Sequence, residues 1–127
     1  MTRYLALDVG DRRIGLAVGD EGGGIARPLR TLIRRAVAAD VAAIGELARK
    51  EEVTALLIGL PLTLRGDEGP QAARVRRFAD SLAPLGLPLE FADERFTTTE
   101  AEIQGAADVD AGAAAILLED HLRARRA

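Results

Sequence analysis

The chain has 127 residues, of which 48% are hydrophobic and 29% charged, and its formal net charge is −3. This length suits one domain, residues 1–127, with a single continuous core, and it is too short for two domains that close on a ligand. The apolar runs fall short of the ~20 residues that a membrane span requires, and the amino-terminal segment lacks the pattern of a secretory signal. We therefore expect a cytoplasmic protein that does not bind a membrane.

The inventory of metal-binding side chains is narrow. The chain has no cysteine and one histidine, His121, which excludes disulfides and zinc sites built from thiolates or several imidazoles. Any metal must be held by oxygen, which favours magnesium, manganese or calcium. Because the net charge is negative, a nucleic-acid partner would have to be bound through local arginine clusters.

Three strands are predicted first. Residues 3–9 read as a buried strand, and residues 14–20 resume the pattern after a short turn, so the two segments predict a hairpin. The glycines that frame the turn, Gly10 and Gly15, are expected to let the backbone bend. Residues 25–32 form the third predicted strand, in which Pro28 indicates an edge position or a bulge.

After residue 36, helical and strand periodicities alternate. The predicted elements are a helix over 37–51, a strand over 53–59, a helix from Pro70 to about Leu82, a strand over 87–93, a short helix capped by Thr97 or Thr98, and a helix from about Asp110 to Ala124. The residues expected to face inward are Val37, Val41, Ile44, Leu47 and Ala48 in the first of these helices, Ala72, Val75, Phe78, Ala79 and Leu82 in the second, and Ala113, Ala114, Leu117 and Leu118 in the last. Strands joined through helices are parallel when they share a sheet, and open α/β sheets bind ligands at the edge where such strands end. Asp8, the loop after residue 59 and residues 93–95 should therefore meet at one edge.

Three acidic positions are the candidate catalytic residues: Asp8, Glu94 with its neighbour Asp93, and Asp110, for which Asp108 could substitute. Carboxylates packed closely repel one another unless a cation lies between them. Two divalent ions in such a cluster can activate a water molecule and stabilise the leaving oxygen of a phosphodiester. The pattern therefore indicates hydrolysis of phosphodiesters.

Each acid also has a structural interpretation. Asp8 precedes a turn and could accept its hydrogen bonds, although a carboxylate at the end of a buried strand is costly unless it is paired or binds a metal. The role of Glu94 could simply be to pair with Arg95, and that of Asp110 could be to stabilise the amino terminus of a helix. Function is the stronger interpretation for Asp8, whereas capping is the stronger one for Asp110 taken alone.

Four motifs in order resemble one family over nearly the whole chain. They are DVGDRRIGLA at 8–17, GLPL at 59–62, DERFTT at 93–98 and DAGAA at 110–114. Together they resemble the YqgF/RuvX family, which is described as Holliday junction resolvases and, in bacteria, as nucleases that mature the 5′ end of 16S rRNA. One departure follows GLPL, where the family commonly has Asn, Met and Asp and this chain has Thr63, Leu64 and Arg65.

The resemblance implies an α/β, ribonuclease H-like fold: a mixed five-stranded sheet, three antiparallel strands first and two parallel strands after, with helices on both faces. The predicted order of elements agrees with it independently. The family's similarity to the resolvase RuvC implies metal-dependent phosphodiester cleavage by three acids, which fall on Asp8, Glu94 and Asp110 in this chain. The implied cofactor is Mg²⁺ or Mn²⁺, with two ions in the site.

Basic residues near the acidic edge are candidates for binding nucleic acid. Arg12 and Arg13 lie in the turn after Asp8, and Arg95 follows Glu94. Such contacts to phosphate confer affinity with little sequence dependence, although ion pairs with neighbouring aspartates would explain the same residues. The remaining candidates in this class are Arg65, Thr97 and Thr98.

Other charged residues are assigned structural roles. Arg74, Arg76 and Arg77 are expected to keep the helix after Pro70 soluble, with Arg76 paired to Asp80. His121 is about three turns from Asp110, too far along the helix to share its site. It is therefore expected to be structural or superficial.

The sequence favours a metal-dependent nuclease that acts on structured nucleic acid, either an rRNA precursor or a Holliday junction. The alternatives are a non-catalytic nucleic-acid-binding or ribosome-assembly module on the same fold, and an ATP-binding phosphotransferase, whose fold would need two such domains. A junction resolvase needs two active sites, so a homodimer is expected if the junction is the substrate. The sequence does not decide between the two nucleic acids.

Overall fold

The structure is a computed structural model that describes residues 1–93 and 109–126, with side chains to residue 124. A short 3₁₀ turn, Ala83–Leu85, follows the second helix. The predicted order of elements is confirmed for these residues, and the boundaries differ by one or two residues; the short helix predicted after Thr97 or Thr98 lies outside them. The elements are β1 (Arg3–Val9), β2 (Arg13–Asp20), β3 (Ala26–Ile33), α1 (Val37–Lys50), β4 (Ala55–Leu60), α2 (Pro70–Asp80), β5 (Leu89–Asp93) and α3 (Val109–Arg126).

The strands form one five-stranded sheet in the order β3-β2-β1-β4-β5. The pairs β1–β2 and β2–β3 are antiparallel, whereas the pairs β1–β4 and β4–β5 are parallel. The mixed sheet predicted from the sequence is therefore confirmed. The carboxyl ends of β1, β4 and β5 lie side by side, and we refer to this boundary as the carboxyl edge.

Pro28 lies in an edge strand beside a bulge, as predicted from the sequence. β3 is the outer strand of the sheet, and its pairing with β2 shifts between Leu16, which faces Arg30, and Ala17, which faces Pro28. The extra residue, Leu29, makes a bulge. A proline cannot donate to a strand ladder, so an edge position beside a bulge accommodates it without loss of a central hydrogen bond.

Side chains alternate across the sheet and build two cores, one on each face. Helices α1 and α2 cover one face and α3 covers the other, as the resemblance implied. On the α1/α2 face the strands contribute large aliphatic side chains: Leu5, Leu7, Val9, Ile14, Leu16, Val18, Leu56, Ile58 and Leu60. On the α3 face they contribute Tyr4, Ala6, Ala17, Ala55 and Leu57, which pack against buried residues of the helix.

The helices bury the faces that their periodicity predicts, with one exception. The inward residues of α2 and of α3 are buried, and so are Ile44 and Ala48 of α1. Val37, which was expected on the inner face of α1, is 46% exposed, because it is the first residue of the helix and borders an open cleft. Among residues 1–93 and 109–126, no helix combines the length and the hydrophobicity that crossing a membrane would require.

Candidate active site

Asp8 lies near the carboxyl end of β1, on the face of the sheet that α3 covers. Tyr4 and Ala6 belong to the α3 core and Leu7 to the opposite core, so the alternation of the strand places Asp8 on the α3 side. Its side chain is half-buried. Since Leu7 pairs with Ile58 of β4, Asp8 lies beside the point where the GLPL segment leaves the sheet.

Asp110 is brought to the same place by the contact between α3 and β2. Asp8 is paired with Gly15 across the β1–β2 ladder. A Cβ atom added to Gly15 would lie 1.9 Å from the backbone oxygen of Asp110, so the helix backbone rests directly on this glycine. The first turn of α3 and the end of β1 are therefore neighbours, and two of the three predicted acids converge at the carboxyl edge.

This contact explains why residue 15 is glycine, for a reason that differs from the one predicted from the sequence. Gly15 was expected to let the backbone turn, but it lies inside β2, where the chain is extended. It is glycine because a helix occupies the space that a side chain would fill. A glycine within a predicted strand signals either a bulge or the close approach of another backbone, and here the second applies.

A guanidinium group accompanies the two acids. Nε of Arg13 lies 3.6 Å from Oδ2 of Asp110, and both side chains remain partly exposed to solvent. An exposed pair of this kind contributes little to stability and can exchange partners. Arg12, the preceding residue, is exposed, and no ion pair of its side chain occurs within the described part of the chain.

The loop after β4 folds back on itself at the carboxyl edge. Leu62 and Glu68 form an isolated antiparallel bridge, and the amide of Gly66, with φ 88°, donates to the carbonyl of Thr63. Arg65 is exposed at the tip of this turn. The structure therefore presents this candidate to solvent and assigns it no partner among the residues described.

β5 ends at Asp93, which pairs in parallel register with Leu60. Because Leu60 belongs to the α1/α2 core, Asp93 lies on that side and not on the side of Asp8. The candidates Glu94, Arg95, Thr97, Thr98 and Asp108 lie outside the described residues. Within residues 1–93 and 109–126, no three acidic or histidine side chains are grouped closely enough to hold a metal ion.

The direct partner of Arg76 differs from the one predicted on α2. Arg76 makes two hydrogen bonds to Glu68, at 2.6 and 2.8 Å, and lies over the ring of Phe91, whereas Asp80 acts on it only through a weaker charge interaction. The hydrogen bond from Arg76 lowers the pKa of Glu68, and the same bond raises the pKa of Arg76. The loop before α2 brings Glu68 within reach, which helical spacing alone cannot reveal.

His121 belongs to a small polar cluster toward the other end of α3. Its Nε2 lies 3.2 Å from Oε1 of Glu90, and the hydroxyl of Tyr4 donates to Oε2 of Glu90 at 2.8 Å. The rings of Tyr4 and His121 meet edge to face. The cluster joins β1, β5 and α3 and is a structural feature, as expected for His121.

A mixed sheet in the order found here, with α3 laid over β1 and β2, is the ribonuclease H-like fold. The structure superposes on RuvC of T. thermophilus in complex with a Holliday junction substrate, with a TM-score of 0.64, 17% identity, and coverage of 99% of this chain and 96% of that one. At this identity the similarity establishes the fold alone. The sequence identifies the family: the chain belongs to the RuvX family, whose model, described as Holliday junction resolvase, matches residues 2–124.

Curated relatives are similar over almost their full length. A protein of Anaeromyxobacter dehalogenans is 46% identical, over 97% of this chain and 98% of its own. One of Chloroflexus aurantiacus is 44% identical, over 96% of this chain and 87% of its own. Both carry the name "Putative pre-16S rRNA nuclease". Membership of this family of nucleases agrees with the resemblance found in the four motifs.

Proposed function

We propose that the chain is a metal-dependent nuclease that hydrolyses phosphodiesters in structured nucleic acid, with Asp8, Glu94 and Asp110 as its catalytic residues. The observation that carries the proposal is the packing of Asp110 on Gly15, the cross-strand neighbour of Asp8. This contact brings the chain at two acidic residues together at the edge where α/β sheets bind ligands, and acids that converge there need a counter-charge. Membership of the RuvX family supports the same chemistry.

The residues at this edge fit Mg²⁺ or Mn²⁺, because the donors available there are carboxylate oxygens. Asp8 and Asp110 would hold the metal, and Glu94, one residue beyond the end of β5, is proposed as the third ligand. A pair of such ions supplies an activated water and charge stabilisation at the leaving oxygen. The backbone contact at Gly15 fixes the position of Asp110 relative to β2.

The proposed role of the basic residues is to hold the phosphate backbone of the substrate. Arg13 already neutralises Asp110 at 3.6 Å and can turn to a phosphate oxygen once a cation takes its place. Arg12 and Arg65 are exposed on the same edge. Arg95, Thr97 and Thr98 follow Glu94 in the chain and complete the proposed interface. These contacts confer affinity without sequence preference.

An rRNA precursor is the substrate that the curated relatives support by name, whereas a Holliday junction is supported by the description of the family. The two differ in what they ask of the protein. Cutting a junction symmetrically requires two active sites and hence a homodimer, whereas trimming the 5′ end of an rRNA precursor requires one. A cytoplasmic location serves both and remains a prediction.

Cleavage assays with matched variants test the proposal. The substrates are a 16S rRNA precursor fragment with a 5′ extension, duplex RNA and a four-way DNA junction, each with Mg²⁺, Mn²⁺ or chelator. Asp8→Asn and Asp110→Asn should lower the rate at least ~100-fold and weaken Mn²⁺ binding measured by calorimetry. Asp67→Asn, which changes an exposed acid in the loop after β4, should do neither.

Two results would contradict the proposal. A folded Asp8→Asn variant that cleaves as fast as the wild type would remove Asp8 from the active site. Tight RNA binding by the wild type with no cleavage under either metal would instead support the non-catalytic ribosome-assembly module.

A further inference from the structure

A cleft of about 260 Å³ opens at the carboxyl edge on the face opposite Asp8, between α2, the start of α1 and the β1–β2 turn. Its lining includes Arg34, Arg74 and Arg77, together with Gln71, Gly10 and one acid, Asp11. We call it the arginine cleft. In a chain with a net charge of −3, three arginines and one acid around a small opening leave an excess of positive charge there.

Arg34 is fixed in position by neighbours on three sides. Its Nη1 donates to the carbonyl of Gly10 at 2.9 Å, its Nε lies 3.6 Å from Oδ2 of the buried Asp40, and its guanidinium stacks 4.8 Å from the centre of the Phe78 ring. These contacts leave other N–H donors of its five available. A guanidinium held in this way loses little entropy when it binds an anion.

Arg74 and Arg77 are one turn apart on α2, so their like charges lie side by side on the helix surface. Nε of Arg74 is 3.4 Å from Oδ1 of Asp11, and the two side chains are 49% and 75% exposed, so the pair is weak. Within the described residues, Arg77 forms no ion pair at all. A bound anion would relieve the repulsion between the two arginines, and Asp11 is the group that it would have to displace.

The dimensions select the class of anion. Sites for whole small molecules occupy about 300–1,000 Å³, so this cleft is too small for a complete nucleotide but accepts a phosphate group. Val9, which lines the cleft, follows Asp8 directly in β1. Successive strand residues point to opposite faces of the sheet, so the two side chains leave the backbone only about 3.4 Å apart along the strand. A nucleic-acid strand that crosses the carboxyl edge can therefore reach both the acids and the arginine cleft.

We propose that the arginine cleft binds a backbone phosphate of the nucleic-acid substrate beside the cleavage site, with Arg77, Arg74 and Arg34 as its ligands. The inference rests on the proposed nuclease function. It adds a contact on the face of the sheet away from the catalytic acids. The strand is thereby held on both sides of the carboxyl edge, and the scissile phosphate cannot slide along the acids.

Binding of fluorescein-labelled single-stranded RNA in chelator, followed by anisotropy over a series of salt concentrations, tests the proposal without cleavage. Arg74→Gln combined with Arg77→Gln should weaken binding about three- to tenfold for RNAs of unrelated sequence and reduce the slope of log K against log salt by about 0.7. Asp11→Asn should tighten binding, because it removes the competing carboxylate. Arg49→Gln, which removes an exposed arginine at the far end of α1, is the matched control and should change neither quantity.

The outcomes separate the two proposals. Unchanged affinity and salt slope in the double variant overturn the cleft, whatever its cleavage activity. Inorganic phosphate that binds the wild type but not the double variant, with RNA affinity unchanged, would assign the cleft to a free anion and also overturn it. If the double variant binds RNA weakly while the wild type never cleaves, the cleft is upheld and the nuclease proposal fails.

Discussion

The two faces of the sheet are packed in opposite ways. On the α1/α2 face, leucine, isoleucine and valine from four strands fill the space beneath the helices. On the α3 face, the strand residues near the carboxyl edge are mostly small. Ala6 of β1 pairs with Ala17 of β2, and the next pair on this face toward the edge is Asp8 with Gly15. The first face buries more apolar surface, whereas the second lets a helix backbone approach the strands. The larger core therefore lies on one side of the sheet, and the two acids proposed as catalytic residues lie on the other.

The comparison predicts that the largest loss of stability comes from the α1/α2 face. Leu7 is fully buried there, and Leu7→Ala should lower the free energy of unfolding by about 3 kcal/mol, because it leaves a cavity among large neighbours. Urea unfolding measures the change. Leu64→Ala, at an exposed loop position, should stay within about 0.5 kcal/mol of the wild type. Equal losses of unfolding free energy in Leu7→Ala and Leu64→Ala would show that Leu7 does not lie in a large, well-packed core.

Gly15→Ala is expected to lose less stability than Leu7→Ala but more catalytic activity. The new Cβ would meet the backbone of Asp110 at 1.9 Å, so the start of α3 must move; we expect a cost of about 2 kcal/mol and at least a ~10-fold slower cleavage. Gly23→Ala is the matched control, since its Cβ would come no closer than 3.8 Å to Asp20. Normal cleavage by a folded Gly15→Ala variant would mean that Asp110 need not lie beside Asp8.

Tyr4→Phe tests the other end of the α3 face. The change removes the hydroxyl that donates to Glu90 at 2.8 Å and leaves the buried ring, so the free energy of unfolding should fall by about 1 kcal/mol. In a Glu90→Gln background the same substitution should cost less, as a double-mutant cycle in urea would measure. Additive losses would show that the hydroxyl and the carboxylate do not interact.

The smallest effect is expected from Glu68→Gln at the surface. Hydrogen bonding to Arg76 lowers the pKa of Glu68 in the folded state, so the pair stabilises the protein above the unfolded pKa of this carboxyl and loses its contribution as the pH falls through the folded pKa. The difference in urea midpoint between the wild type and Glu68→Gln should therefore vanish in acid. Arg76→Gln should abolish the same pH dependence, and a difference that grows as the pH falls would contradict the assignment.

Most of the architecture was predictable because it is written in local patterns. The inward residues of α2 follow from their helical spacing, and Pro28 indicated an edge strand that the bulge beside it confirms. Val37 was misjudged because periodicity does not show that the first residue of the helix borders an open cleft. The same limit applies to Arg76, whose partner lies in a loop that folds back before the helix.

The candidate site likewise contains residues that could be predicted from the sequence and contacts that could not. Asp8 and Asp110 were identified by position and resemblance, and the structure brings the chain at these two residues together through Gly15. The arginines of the cleft were identified only as surface charges, since nothing in their spacing shows that they face Arg34 from another element. Contacts between distant segments leave no periodic trace, so only the folded chain reveals them.

The sequence by itself determined the order of strands and helices along the chain, the parallel and antiparallel pairing, and the end of the sheet at which Asp8 lies, because each follows from a hydrophobic period or from the geometry of crossovers. Only the tertiary structure decided that α3 rests on Gly15, that Arg76 bonds Glu68 and that three arginines share one cleft. The physical reason is that periodicity is a property of one segment, whereas these contacts join segments that are distant in the sequence. Periodicity reports which face of an element is buried, whereas these contacts depend on how closely two elements approach.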